Sequence, residues 1–441
     1  TTDPTTVRDD VGADVQPGSG SSSGGITQFD HDGKQSTPDR VVVPGIDTIY
    51  ESPDANNVFP HTQFLPDEIS PNDVTNVVTA QLNPCAADPC TTEETNAGKD
   101  LLPDLIIFTK SGVPAYTLLN KPGNPGTMQK PNTIGSAELD TRDAVVGDVN
   151  SDGVQDLVVI NFDGPNSIYY GDPTRPGNFE LTRHDEFGGA SDGTVGVTLF
   201  DGDEDPSTPP DIIAVNENTF DQLYLGSNSL TGSTGAGTGL LDEKYKKFDL
   251  PGTDTTKSTD VDLVENGGLG ARTDSVVIAI STSDGGVKMV EFTSLKKTQL
   301  LDGTATLSAG DVMTLDAATL GGQDVQGVEI SEITGDGIPD VVVLLKNGPV
   351  AGYIYPGTGN LAVTSDYLAA TKIAIGTSGI DAVEMTLVDT TGDGIRDAIS
   401  ILDSSGGVHV FKKDGLTWPS ATYPDPNIED GSTTGATKPH D

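Results

Sequence analysis

Short apolar runs recur along the chain, and each follows an aspartate by one or two residues. They are Arg40–Val43, Leu105–Phe108, Leu157–Ile160, Ile212–Val215, then VVIAI after Asp274, VVVLL after Asp340 and AISIL after Asp397. Runs this short, bounded by turn residues, predict strands buried on both faces. Turn signals follow several of them, at Lys110-Ser111-Gly112, Asp284-Gly285-Gly286, Asn347-Gly348 and Ser405-Gly406-Gly407, and then a second alternating stretch. Some of these next strands end in an aromatic residue shortly before Gly: SIYYGD at 167–172, QLYLGS at 222–227, YIYPG at 353–357. No long helical period interrupts the pattern. The frames start near residues 28, 81, 148, 201, 265, 332 and 389. That spacing of about 50–70 residues suits one four-stranded unit of a radial array. The pattern predicts an all-β, seven-bladed β-propeller over 26–425, with tails at 1–25 and 426–441.

The loop ahead of each apolar run carries the candidate chemistry. In VGDVNSDGVQDLVVI the residues Asp148, Asn150, Asp152 and Asp156 place side-chain oxygens at positions 1, 3, 5 and 9, and Val154 offers its carbonyl at position 7. A hard divalent cation takes six to eight oxygens at about 2.3–2.6 Å, and alternate residues of a tight loop can deliver them. Gly153 stands where the backbone must turn without a Cβ. An apolar strand follows in place of the helix of an EF-hand, so the loop is a candidate calcium site on a β-scaffold.

The same pattern returns as Asp389, Thr391, Asp393, Ile395 and Asp397, and as Glu332, Thr334, Asp336, Ile338 and Asp340. Longer versions carry Asp201, Asp203, Asp205 and Asp211, and Gln28, Asp30, Asp32 and Asp39. Frames two and five keep the strand and its opening Asp104 or Asp274 but lose most acidic ligands. Asp, Asn and Gly favour turns in any protein. Near-complete copies with a closing Asp at position 9 go beyond that preference. Several carboxylates within a few Å also repel one another unless a cation neutralises them. About three to five calcium ions are expected.

Composition narrows the partners. A net charge of −43 excludes nucleic acid and disfavours anionic membranes. Asp outnumbers Glu roughly three to one, placing much of the acidity in loops. No apolar run approaches the roughly 18–20 residues of a membrane span. Cys85 and Cys90 could form a short loop disulfide or stay free thiols. The chain starts at Thr1, without Met or an apolar leader, as either a processed secreted product or a trimmed chain would.

DVNSDGVQDLVV with the following SIYYGDPTRPGNFE resembles the FG-GAP/VCBS-type repeats of integrin α-subunit propellers and of many secreted proteins. Frames six and seven match over the loop and both flanking strands, frames one and four less closely, and frames two and five only in outline. The resemblance implies a propeller whose calcium loops join the first and second strands of each blade, all on one face.

Catalytic signatures are absent from the sequence. The histidines His31, His61, His184, His409 and His440 are scattered, and no nucleophile elbow or Lys-bearing phosphate loop occurs. The expectation is therefore no enzyme, but an extracellular or cell-surface adhesion or structural module with a protein partner or self-assembly. Residues 1–25 are a polar Gly/Ser segment with too little apolar surface to order alone. Docking of this tail on a neighbouring copy would build a coat or filament. The alternative is a lectin-like carbohydrate binder using Trp418 and Tyr169, Tyr170, Tyr224, Tyr353 and Tyr355, residues that otherwise serve as core between blades. A polysaccharide-active enzyme ranks last.

Overall fold

The computed structural model describes residues 27–28, 40–43, 48–51, 61–63, 74–80, 82, 104–109, 113–119, 129–134, 141–172, 174–175, 177–189, 191–200, 209–227, 245–251, 253, 258–264, 275–282, 286–293, 297–303, 306–307, 312–315, 320, 324–331, 333–334, 338–346, 348–357, 372–376, 380–388, 398–403 and 408–412. Among them the chain is nearly all β, in successive antiparallel sheets filled strand by strand in chain order.

Sheet one holds β1 (Thr27–Gln28), β2 (Arg40–Val43), β3 (Thr48–Glu51) and β4 (His61–Gln63). Sheet two holds β5 (Val74–Ala80), β6 (Asp104–Thr109), β7 (Ala115–Leu118) and β8 (Asn132–Ile134). Sheet three holds β9 (Thr141–Gly147), β10 (Asp156–Asn161), β11 (Asn166–Gly171) and β12 (Phe179–Phe187). Sheet four holds β13 (Thr194–Phe200), β14 (Asp211–Asn216), β15 (Gln222–Gly226) and β16 (Tyr245–Asp249). Sheet five holds β17 (Ser258–Val264), β18 (Ser275–Thr282), β19 (Gly286–Thr293) and β20 (Val312–Leu315). Sheet six holds β21 (Asp324–Ser331), β22 (Asp340–Lys346), β23 (Gly352–Tyr355) and β24 (Ile373–Ile375). The last sheet has three strands among the described residues, β25 (Ala382–Val388), β26 (Ala398–Asp403) and β27 (Val408–Lys412).

The apolar runs become the second strand of each sheet, and their continuity has a physical cause. Strands β6, β10, β14 and β22 are buried on both faces, because alternate side chains serve two different neighbours. In β10, Leu157 and Val159 pack with Val78, Ile106 and Phe108 of sheet two, whereas Val158 and Ile160 pack with Val197, Ile212 and Tyr224 of sheet four. β22 repeats the division: Val341, Val343 and Leu345 face Val287 and Met289 of sheet five, and Val342 and Leu344 face Met385 and Ile399 of the last sheet. Burial of each Val, Leu or Ile contributes about 1.5–3 kcal/mol, so the cores lie between sheets.

The first strands β5, β9, β13, β17, β21 and β25 adjoin one another in turn. β1 touches both β5 and β25, so the succession of sheets returns on itself. One departure from the all-β expectation is α1 (Lys297–Asp302), a short helix between β19 and β20. Its last carbonyls, Leu300 and Leu301, accept hydrogen bonds from Lys246 Nζ at 2.9 and 3.0 Å. Among the described residues no helix is long and apolar enough to cross a membrane. The sequence-predicted outer strand at Leu416–Tyr423, Cys85, Cys90, Trp418 and the tails at 1–25 and 426–441 lie outside the described residues.

Candidate metal centre

The Asp148–Asp156 loop lies between the first and second strands of sheet three, and every frame holds the same place in its own sheet. Asp152 and Gly153 donate their N–H groups to Asp148 Oδ1 and Oδ2 at 3.0 and 2.7 Å. Asp152 N–H also meets Asn150 Oδ1 at 2.8 Å, and Val154 N–H meets Asp152 Oδ1 at 2.9 Å. The loop thus coils around its own acidic side chains. Ser151 and Gly153 take the left-handed conformation, with φ of 60° and 82°, that so tight a coil demands. A Cβ at Gly153 would meet nothing within 4 Å, so it is conformation rather than space that favours glycine there.

Asp156 differs from the rest of the loop because it is fully buried. Its Oδ2 accepts the Val149 N–H at 3.0 Å, and its Oδ1 accepts the Gly171 N–H at 2.9 Å. The side chain therefore staples the loop to the end of the third strand. Burial pushes its carboxyl up to about 8; the bond from Gly171 pulls the other way, and the charges of Asp152 and Asp148 add to the rise. The charges of Asp152 and Asp148 lie close enough to act on the Asp156 carboxyl, a repulsion that a divalent cation relieves. In chemistry, the donor set of hard oxygens fits such an ion. Among the described residues no three acidic, histidine or cysteine side chains are drawn together tightly enough to hold a metal. An ion here would therefore depend also on the Asn150 amide oxygen and the Val154 carbonyl.

The staple recurs. Asp340 Oδ2 accepts Ile333 and Thr334 N–H groups at 2.9 and 2.8 Å, and its Oδ1 accepts Gly357 N–H at 2.9 Å. Burial raises its pKa, and the bonds from Ile333 and Gly357 oppose the rise. Asp211 Oδ1 accepts Gly226 N–H at 2.8 Å, and Asp104 Oδ2 accepts Leu82 N–H at 2.9 Å. The closing Asp and its glycine explain the aromatic-then-Gly signature. A Cβ at Gly171 would lie 2.3 Å from Gln155 O, one at Gly226 2.7 Å from Pro209 O, and one at Gly357 2.3 Å from Pro339 O. Only glycine lets the third strand approach the loop backbone this closely.

Sequence reasoning missed the staple. Its available signals were the buried apolar residue at the second loop position (Leu82, Val149 or Ile333) and the presence of Asp104 in a frame without the alternating ligand pattern. Thr334 and Ile338 are described beside Asp340, whereas Glu332 and Asp336 lie outside the described residues. So do Asp389, Thr391, Asp393, Ile395 and Asp397, Asp201, Asp203 and Asp205, and Asp30, Asp32 and Asp39. Gln28 lies in β1, opposite Val41. Of the tyrosines weighed for sugar binding, Tyr169, Tyr170, Tyr224 and Tyr355 are buried. Tyr224 meets Phe187 of sheet three edge-on, with ring centroids 5.2 Å apart, a packing role between sheets.

Two oxygens of consecutive loops meet at one side chain. The Tyr245 hydroxyl, at the start of β16, lies 2.9 Å from Val149 O and 3.1 Å from Pro210 O. Burial, followed by the charge of Asp211, holds its pKa well above that of a free tyrosine.

No protein family matches the sequence, and no curated protein matches it. Among solved structures, the chain is similar to BBS1N crystallised in complex with ARL6DN, at 12% identity and a TM-score of 0.50, covering 92% of this chain and 97% of that one. It is also similar to the BP39L lectin of Burkholderia pseudomallei, at 10% identity and a TM-score of 0.54, covering 92% of this chain and 99% of the lectin. Both are β-propeller-like, and the likeness is one of fold.

Proposed function

We propose that the chain is a seven-bladed propeller of the FG-GAP/VCBS type, stabilised by calcium, that works extracellularly as an adhesion or assembly module without catalytic activity. The observation that carries this reading is the Asp148–Asp156 loop, whose backbone coils around Asp148, Asn150 and Asp152 beside a fully buried, stapled aspartate. Calcium would be held there by Asp148, Asn150, Asp152, Asp156 and the Val154 carbonyl, and it would neutralise charge at the mouth of the sheet. A protein partner is in keeping with the BBS1N propeller, which was crystallised with ARL6DN. Outside cells, calcium at about 1 mM suits loops of this open, exposed kind.

Calorimetry with and without the ion tests the proposal. One site saturated 100-fold adds about 2.7 kcal/mol, and several sites act together. Calcium should therefore raise the melting temperature relative to EDTA by several degrees, and identical melts in the two buffers would overturn the calcium reading. Light scattering of full-length protein against a chain lacking residues 1–25 tests assembly: with calcium, the full chain should be larger than a monomer and the shortened one should not.

A second reading, carbohydrate binding, draws on Phe220 and on the lectin likeness. Phe220 is 42% exposed, the one exposed large apolar side chain among the described residues. It sits near Asn218 on the β14–β15 turn, at the end of β14 away from the acidic loop. A glycan array separates the two readings: binding abolished by Phe220→Ala favours the lectin, and no binding to any glycan removes it.

A further inference from the structure

We propose that Tyr245 is a positioning residue that couples the loops of sheets three and four, so that a cation held in the first orders the second. The inference rests on the calcium reading above. Its ground is the placement of one hydroxyl between carbonyls of two different sheets.

Tyr245 belongs to sheet four by strand pairing, opposite Gly226, yet its ring packs in the core shared with Val145, Val149, Val158 and Tyr170 of sheet three. Its single proton is shared between Val149 O at 2.9 Å and Pro210 O at 3.1 Å. The N–H of the same residue, Val149, in the preceding peptide, donates to Asp156 Oδ2. On the other side, Pro210 directly precedes Asp211, whose Oδ1 receives the Gly226 N–H. A line of contacts therefore runs from Asp156 through the backbone N–H and C=O of Val149 and the Tyr245 hydroxyl to the Pro210 carbonyl and Asp211.

Asp156, Val149 and Tyr245 are buried and the Pro210 carbonyl is partly so, which makes exchange of these partners for bulk water costly. When a cation fixes the Asp148–Asp156 loop, the Val149 carbonyl becomes a fixed acceptor for the tyrosine proton. The second carbonyl is then held at the same point. Phenylalanine at 245 would keep the packing and remove only the link.

Calcium-dependent hydrogen exchange tests the coupling in the full chain. The four proteins compared are the unmodified protein, Asp152→Asn, Tyr245→Phe and the double variant, and the peptides followed cover 148–156 and 209–226. With Tyr245 present, Asp152→Asn should lower the calcium-induced protection of both segments, by about fivefold or more in 209–226. With phenylalanine at 245, the same substitution should lower protection in 148–156 alone. An equal loss in 209–226 with either residue at 245, or no loss there with tyrosine, overturns the coupling. If the unmodified protein shows no calcium-induced protection in either segment, the calcium reading itself fails, and the coupling fails with it. A uniform rise in exchange caused by Tyr245→Phe, independent of calcium and of Asp152, would make the hydroxyl a structural contact only.

Discussion

Substitution of Gly171 by alanine probes the closing staple most directly. The new methyl carbon would sit 2.3 Å from Gln155 O and 2.6 Å from Val154 Cγ1. The first of these is a backbone oxygen, which cannot swing aside like the end of a side chain. Overpacking of this kind costs about 1–3 kcal/mol. Relief requires strand β11 to retreat from the loop, which stretches the 2.9 Å bond from Gly171 N–H to the buried Asp156 carboxylate. A buried acceptor short of its donor costs about 1–3 kcal/mol more. Against this, alanine lowers the entropy of the unfolded chain by about 0.4–1 kcal/mol. The net destabilisation is about 1–5 kcal/mol. With an unfolding entropy of about 2.1 cal/mol/K per residue over roughly 400 residues, the melting temperature should fall by about 1–6 °C. Gly357→Ala should behave alike, since its Cβ would lie 2.3 Å from Pro339 O and 2.6 Å from Ile338 Cγ2. Gly303→Ala is the comparison, because its φ is +77° but nothing lies within 4 Å, leaving only a left-handed cost of about 1–2 kcal/mol. Differential scanning calorimetry ranks the three. If Gly171→Ala and Gly357→Ala melt no lower than Gly303→Ala, the close approach of third strand and loop is not what holds the sheet.

Three further outcomes follow from the same geometry. Asp104→Ala should cost about 1–3 kcal/mol by leaving the Leu82 N–H without its acceptor, and urea titration should give the same loss with calcium and with EDTA. Asp152→Ala and Asp393→Ala should instead lose part of the calcium-induced gain in melting temperature and melt like the unmodified protein in EDTA. Asp172 is held at about 2 by the hydroxyl and N–H of Thr174, with Arg175 Nε at 2.8 Å assisting. A carboxyl lowered on folding stabilises the protein above its unfolded value of 3.8. That contribution should disappear as pH falls from about 4 to 2. Asp172→Asn should flatten acid unfolding in that window, and an unchanged acid profile would refute the assignment.

The architecture was legible because strands buried on both faces leave continuous apolar runs. Leu157–Ile160 and Val341–Leu345 carry that mark, and each became the second strand of a sheet. The helix Lys297–Asp302 was not legible, since six residues cannot develop a helical period. Within the loop, the alternation of Asp148, Asn150 and Asp152 marked the coil of backbone bonds, though the pattern reads equally as a ligand set. The double duty of Asp156 stayed hidden because its partners Val149 and Gly171 are backbone donors, and any residue type but proline supplies an N–H. Tyr245 was overlooked for another reason: its role depends on two carbonyls, at residues 149 and 210, that only the packing of neighbouring sheets brings together.

The twofold burial of the second strands also distributes responsibility through the molecule. Among the described residues each core cluster is held in common by two neighbouring sheets. A change at Leu157 is answerable to the sheet before it, and a change at Val158 to the sheet after it. Sheets so joined cannot drift independently, whereas the turns above them can. The chain displays both tendencies within itself. The loop ending at Asp104 lacks the alternating acidic pattern but has the aspartate that serves the joint. The loop ending at Asp156 has both. A molecule built this way can revise what its rim binds, one turn at a time, without reopening the question of how it folds.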